Sequence, residues 1–132
     1  MFQEYITREE LDELPLKAFE GEVVVIDQEE KLEAAVRYLS AQKMIGFDTE
    51  TRPSFKRGQV NQVALLQLAT AKTAFLFRIN KIGLPDPLKE ILTNAEILKV
   101  GVAIHDDIKT LQRVSLFVPA GFVELQQEVK EY

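Results

Sequence analysis

Two carboxylates stand one residue apart at the end of a short apolar run, in the segment Gly46-Phe47-Asp48-Thr49-Glu50. On a strand, alternate side chains point to the same face, so Asp48 and Glu50 share a face and lie about 7 Å apart along the backbone. Two acids held in this way repel each other, and a divalent cation between them removes the repulsion. The Asp-x-Glu pattern alone is more often a solvated loop or a helix cap, so a metal site requires a further ligand.

A second apolar run, Ile97 to Ile104, also ends in acids, Asp106 and Asp107. If the two runs are parallel neighbours in a sheet, their carboxyl ends lie at one edge, where open α/β sheets place their sites. Asp48, Glu50 and Asp107 then converge, as in sites where carboxylates bridge two divalent ions during phosphodiester chemistry. The sequence has no cysteine and one histidine, so oxygen ligands and a hard cation such as magnesium or manganese are expected.

The elements that position these residues follow from apolar periodicity and from helix and turn signals. Short connections predict antiparallel pairs and helical crossovers predict parallel pairs, so the expected fold is α/β, a mixed sheet with helices on both faces. A polar turn at Ala71-Lys72 predicts a hairpin. The predicted strands are Glu22–Ile26, Met44–Thr49, Val63–Ala69, Thr73–Phe77, Ile97–Ile104 and a short one from Phe122. The predicted helices run from Thr7 to Pro15, from Asp27 (as cap) to about Ser40, from Pro85 to Thr93, and from about Asp107 onward.

Composition bounds the function. At 132 residues the chain is one domain or most of one, and its net charge of −5 argues against coating nucleic acid by bulk electrostatics. The absence of cysteine fits a reducing, cytoplasmic setting. A long apolar run and a signal peptide are both missing from the sequence, so no membrane partner is expected.

Four segments in order carry a family resemblance: Gly46–Thr51, Val63–Leu68, Lys99–Leu111 and Phe122–Leu125. With them the chain resembles the DEDD-type 3'-5' exonuclease domains of the ribonuclease H-like fold, closest to the ribonuclease D and Werner-type branch. The resemblance covers residues 22–132 and leaves residues 1–21 as an N-terminal extension with a short helix. In the last segment, Glu124 stands where the family often has Asp.

The resemblance implies a metal-dependent 3'-5' exonuclease that acts on the 3' end of single-stranded nucleic acid. Asp48, Glu50 and Asp107 match the catalytic metal ligands, which hold two Mg²⁺ or Mn²⁺ ions in the intact domain. The alignment to Leu111, four residues on, favours Asp107 over Asp106, and Asp106 is then expected to cap the helix that begins at Asp107.

Several residues near these ligands are predicted to contact substrate. The cations Arg52, Lys56 and Arg57 of the predicted loop at residues 51–60 would hold phosphates, and Phe55 would stack on a terminal base. The open alternatives are that the loop is merely solvated and that Phe55 packs beneath it. A structural role is the alternative for His105. The predicted substrate-binding residues are Thr49, Thr51, Arg52, Phe55, Lys56, Arg57 and His105.

One part of the family pattern is missing. These enzymes carry a third motif, a Tyr followed four residues later by an Asp, whereas the sequence after Asp107 has no Asp and its only Tyr is Tyr132. The domain is therefore expected to be incomplete at its C-terminus, either cut before the third motif or a short homologue that has lost catalysis. An inactive or weakly active fragment is predicted; the alternative is a non-catalytic module that binds nucleic acid or protein on the same fold.

Overall fold

The computed structural model describes residues 21–52 and 62–125, and within them six strands form one sheet. The strand Glu22–Ile26, for example, is almost entirely β-branched, as expected for a half-buried pleated surface. The strands are β1 (Glu22–Ile26), β2 (Met44–Arg52), β3 (Gln62–Ala69), β4 (Thr73–Arg78), β5 (Leu98–Gly101) and β6 (Phe122–Glu124).

Four α-helices connect the described strands: α1 (Leu32–Ser40), α2 (Ile79–Ile82), α3 (Asp86–Thr93) and α4 (Ile104–Val114). A 3-10 turn at Glu29–Lys31 leads into α1. In α3, Pro85 is the N-cap residue and Pro87 stands in the first turn, where a missing N–H takes no hydrogen bond from the helix. None of the helices in these ranges is long and apolar enough to cross a membrane. The predicted helix between Thr7 and Pro15 lies outside the described residues.

The strand order is β1-β4-β3-β2-β5-β6. Strands β2, β3 and β4 form an antiparallel meander, while β1 pairs with β4, β2 with β5, and β5 with β6 in parallel. The predicted hairpin is confirmed, and its turn is held by the Thr70 hydroxyl, which accepts the N–H groups of Lys72 and Thr73 at 3.2 and 3.1 Å. The parallel pairing of β2 with β5 confirms that the two acid-terminated strands are neighbours.

A single hydrophobic core joins the described helices to one face of the sheet. Strand β2 shows how its residues alternate between the core face and the opposite face: Ile45 and Phe47 are buried, whereas Gly46 is exposed. On the opposite face, Val23, Val25, Met44 and Leu98 are between 40% and 60% exposed. The mixed sheet with helices is thus as predicted, but the described helices that build the core cover one face rather than both.

Two predicted boundaries near the helices are wrong. Asp27 does not cap a helix: the chain makes the 3-10 turn first, and the Asp27 carboxylate instead accepts a hydrogen bond from Lys31 at 3.3 Å. The strand predicted over Ile97–Ile104 ends at Gly101, and α4 begins at Ile104. The apolar run continues through this boundary, so hydrophobicity alone did not mark it.

Candidate metal centre

Strand β2 places Asp48 and Glu50 on one face of the sheet, opposite the core-facing side chains of Phe47 and Thr49. Asp48 is half-buried and lies opposite Gln67 of β3, whereas Glu50 is exposed. The carboxylate of Asp48 is oriented locally, because its Oδ1 accepts the backbone N–H of Thr49 at 2.9 Å. The shared face predicted from the i, i+2 spacing is therefore present.

Thr49, between the two acids, connects this strand to α4. Its side chain is 1% exposed, and its Oγ1 donates a hydrogen bond of 2.7 Å to Oδ1 of Asp107, which is 8% exposed. The bond spans 58 residues of sequence and joins the end of β2 to the first turn of α4. The structure thus brings the two acidic segments together through a hydroxyl that the sequence predicted to contact substrate. The sequence carried a signal for this contact: Thr49 alternates with two outward-facing acids, so its side chain must point inward.

The close approach of α4 to β2 depends on Gly101. A Cβ added there would lie 2.5 Å from the backbone oxygen of Phe47 and 2.6 Å from Cγ2 of Ile104, so only glycine allows the helix to pack so tightly. Phe47 directly precedes Asp48, and Asp107 lies one turn into the helix. The missing side chain therefore helps to set the distance between the two acidic segments.

The predicted helix cap is wrong, because α4 begins three residues before Asp107. Asp106 is an exposed first-turn residue, and its carbonyl accepts the Thr110 hydroxyl at 2.7 Å. The residue at the cap position is Ala103, whose φ of 54° is left-handed and whose side chain offers no acceptor. The first amide, that of Ile104, donates instead to Oε1 of Glu124 in β6 at 2.8 Å. This role of Glu124 is not among the sequence-based predictions, since Glu124 and Ile104 are 20 residues apart in sequence.

Of the remaining predicted substrate residues, the structure describes the side chains of two, His105 and Thr51. His105 is exposed in the first turn of α4, and Thr51 is exposed in β2. The side chain of Arg52, and all of Phe55, Lys56 and Arg57, lie outside the described residues. The basic loop and its contacts stay a prediction.

The three predicted ligands have the chemistry that a hard divalent cation requires. Asp48, Glu50 and Asp107 offer only carboxylate oxygens, which is the chemistry that Mg²⁺ and Mn²⁺ prefer. In the described ranges, however, no group of three or more His, Asp or Glu side chains is placed to hold a metal ion. Asp48 and Glu50 share the outer face of β2, while Asp107 lies against the inward-facing Thr49. The chemistry of the three donors therefore fits a hard divalent cation. In the described arrangement, Asp48 and Glu50 lie together on one face of β2, and the third carboxylate, Asp107, lies apart from them against Thr49.

A sequence model of a 3'-5' exonuclease family matches residues 23–131. The chain belongs to this 3'-5' exonuclease family. Among its relatives, the bifunctional 3'-5' exonuclease/ATP-dependent helicase WRN of Mus musculus is 33% identical over 126 residues, which are 91% of this chain and 9% of WRN. The exonuclease resemblance predicted from the motifs is thereby confirmed.

Solved exonuclease structures share the fold. The Trypanosoma brucei RNase D complex with RNA U12 superposes with a TM-score of 0.68 at 28% identity, over 82% of this chain and 39% of that one. The EXD2 exonuclease domain soaked in Mg and GMP gives 0.70 at 26% identity, over 84% and 60%. The predicted ribonuclease H-like α/β fold is confirmed. The chain spans less than two thirds of each of these three proteins.

Proposed function

We propose that this exonuclease-family chain carries the metal-binding part of an enzyme that hydrolyses phosphodiester bonds from the 3' end of single-stranded nucleic acid. Asp48, Glu50 and Asp107 would hold Mg²⁺ or Mn²⁺. The observation that carries the proposal is the 2.7 Å hydrogen bond from Thr49 to Asp107, which ties the two acidic segments together at one edge of the sheet. The RNA bound to RNase D and the Mg and GMP soaked into EXD2 support the choice of substrate and ion.

Each carboxylate has a distinct local role in the proposal. Asp107 is buried and oriented by the Thr49 hydroxyl, Asp48 is oriented by the Thr49 amide, and Glu50 is exposed toward incoming ligands. When bound, divalent ions at such sites activate a water molecule and stabilise the charge on the departing oxygen. The protein contributes by orienting Asp48 and Asp107 before the ions and substrate arrive.

Substrate contacts would come from the surroundings of the acids. The cations of the loop after β2, Arg52, Lys56 and Arg57, would bind backbone phosphates locally despite the net charge of −5. Phe55 would stack on the terminal base, and the exposed Thr51 and His105 are further candidates.

Metal binding is tested first, because it does not require turnover. Saturating Mn²⁺ at about ten times its dissociation constant should stabilise the chain by about 1.4 kcal/mol and raise the melting temperature by a few degrees. Asp107→Asn should abolish most of this increase. Asp106→Asn removes the same charge from the same helical turn but should respond to Mn²⁺ like the unaltered chain. Equal responses of the two variants would contradict the assignment of Asp107.

Hydrolysis is tested separately. The 132 residues alone are expected to release nucleotides weakly or not at all from 5'-labelled single-stranded RNA and DNA, because no Tyr-x-x-x-Asp follows Asp107. Any release should require Mn²⁺ or Mg²⁺ and disappear in Asp48→Ala. Rapid hydrolysis by this chain would refute the expectation that its nuclease activity is weak. Hydrolysis without any metal would refute the metal-dependent mechanism.

A non-catalytic binding module is the second candidate. It is favoured by the lack of a three-carboxylate group in the described part of the chain. Fluorescence anisotropy with a labelled oligonucleotide separates the two: binding that needs neither metal nor Asp48, without any release of nucleotides, would favour the module.

A further inference from the structure

The first turn of α4, which carries Asp107, has no cap from its own sequence. A helix begins with four N–H groups that have no partner inside the helix, and a side chain at the cap position normally accepts one of them. Here that position is Ala103, which has a methyl group and a left-handed backbone. The start of this helix must therefore be held by another part of the molecule.

Glu124 supplies that contact from β6. Strand β6 runs parallel to β5 with Glu124 opposite Gly101, so its side chain faces the point where the chain leaves β5 and enters α4. Its Oε1 accepts the N–H of Ile104, the first helical residue, at 2.8 Å. A carboxylate at this helix end also interacts favourably with the helix dipole.

Strand β6 is itself fixed against β2. The ring of Phe122 packs edge-on against that of Phe47, with centroids 5.0 Å apart, and Phe47 directly precedes Asp48. The first turn of α4 is thus attached at two points: Glu124 holds the amide of Ile104, and Thr49 holds the carboxylate of Asp107 three residues later. Glu124 and Thr49 together determine where Asp107 lies relative to β2.

We propose that Glu124 is a positioning residue for the metal centre: its carboxylate, by accepting the Ile104 amide, holds the first turn of α4 so that Asp107 is presented next to the Asp48 strand. This inference rests on the proposed function, because it assumes that Asp107 is a metal ligand. Glu124 acts through the helix and contacts neither metal nor substrate. Residues that hydrogen-bond directly to metal ligands change metal affinity by about 10- to 100-fold when they are removed, and Glu124, which acts one contact further away, is expected at the lower end of this range.

Three substitutions separate the hydrogen bond from the charge. Glu124→Gln keeps the length and the acceptor oxygen but removes the charge; Glu124→Asp keeps the charge but is one methylene too short; Glu124→Ala removes both. Mn²⁺ affinity is measured by electron paramagnetic resonance of the free ion, at a temperature where every variant is folded. The Gln variant should bind Mn²⁺ within about twofold of the unaltered chain, and the Asp and Ala variants about tenfold more weakly. Amide exchange at Ile104 should accelerate in the same two variants. Glu96→Ala, which removes an exposed acid elsewhere, is the matched control.

Each result decides the matter. Asp and Ala variants that bind Mn²⁺ like the unaltered chain, although less stable, would show that Glu124 is only structural and would overturn the inference. A Gln variant as weak as Ala beside a normal Asp variant would show that the charge acts directly, and would also overturn it. An unaltered chain without Mn²⁺ affinity would overturn the proposed function together with this inference, so the two failures are distinguishable.

Discussion

Two helix ends in the described part of the chain are completed by a charged side chain from the sheet. At the C-terminus of α3, Nζ of Lys99 in β5 donates to the carbonyls of Ile91 and Asn94 at 2.8 and 2.7 Å. At the N-terminus of α4, Glu124 in the neighbouring β6 accepts the Ile104 amide. Each charge has the sign that the helix dipole favours, a cation at a C-terminus and an anion at an N-terminus.

The two ends differ in their surroundings. Lys99 is fully buried, lies 5.3 Å from the centroid of the Phe122 ring, and has its pKa lowered to about 8 by burial. Its partners are backbone carbonyls and an aromatic ring, none of them a predicted site residue. Glu124 is half-buried, and the helix that it caps carries Asp107. The comparison indicates that one type of contact stabilises the fold at α3 and, at α4, also sets the geometry of the candidate site.

Truncating Lys99 should have the largest effect on stability. Lys99→Ala leaves a cavity and removes one of the two donors from each of the Ile91 and Asn94 carbonyls, and should lower the free energy of unfolding by about 3 kcal/mol. Lys99→Met fills the same volume and should lower it by about 1 kcal/mol. Urea denaturation measures both. Mn²⁺ affinity of the folded variants should not change, and a tenfold loss would show that the α3 end also positions the site.

Adding a methyl group at Gly101 should affect stability and site together. Gly101→Ala forces α4 away from Phe47 and should lower the free energy of unfolding by about 2 kcal/mol. Because the displaced helix carries Asp107, Mn²⁺ affinity should also fall. Gly46→Ala is the control, since a Cβ in β2 at Gly46 meets only the Ala69 oxygen, at 3.7 Å. Equal unfolding energies for the two variants would mean that the close approach at Gly101 is not required.

Removing the Thr49 hydroxyl should have a smaller effect on stability. Thr49→Val keeps the shape but deprives Asp107 of a hydrogen bond, and should lower the free energy of unfolding by about 1.5 kcal/mol. Thr49→Ser retains the hydroxyl and should keep Mn²⁺ affinity closer to that of the unaltered chain. If Val and Ser variants bind Mn²⁺ equally well, the hydroxyl does not orient the ligand.

The sequence predicted the parts of the site that depend on local pattern. Alternation placed Asp48 and Glu50 on one face, and the turn at Ala71-Lys72 identified the hairpin, because side-chain period and turn chemistry are local properties. Crossover connections predicted parallel pairs, from which the conditional expectation that β2 and β5 are neighbours followed. The family resemblance favoured Asp107 over Asp106 as a ligand, which stays a prediction. These inferences needed no knowledge of packing.

The contacts that hold the site together were not predictable in this way. The cap at Ile104 comes from Glu124, twenty residues later, and becomes visible only once β6 is paired with β5. Lys99 stands in an apolar run, and its two carbonyl partners belong to a helix end. Gly101 appears in sequence as one more small residue in a strand; the requirement for glycine arises from a helix packed on another strand's backbone.

The smallest predicted effect concerns pH and is specific to the α3 end. The pKa of Lys99 is about 8 in the folded chain, whereas an unfolded lysine titrates near its ordinary value of 10.5. Between these values the unfolded chain binds more protons than the folded chain, so stability rises with pH, by about 1 kcal/mol from pH 8 to 9. Urea denaturation of the unaltered chain and of Lys99→Met isolates this contribution, because methionine does not titrate. If both proteins gain equally over this interval, the pKa of Lys99 is not lowered in the folded chain, and its two carbonyls and the ring offset the cost of burying its charge.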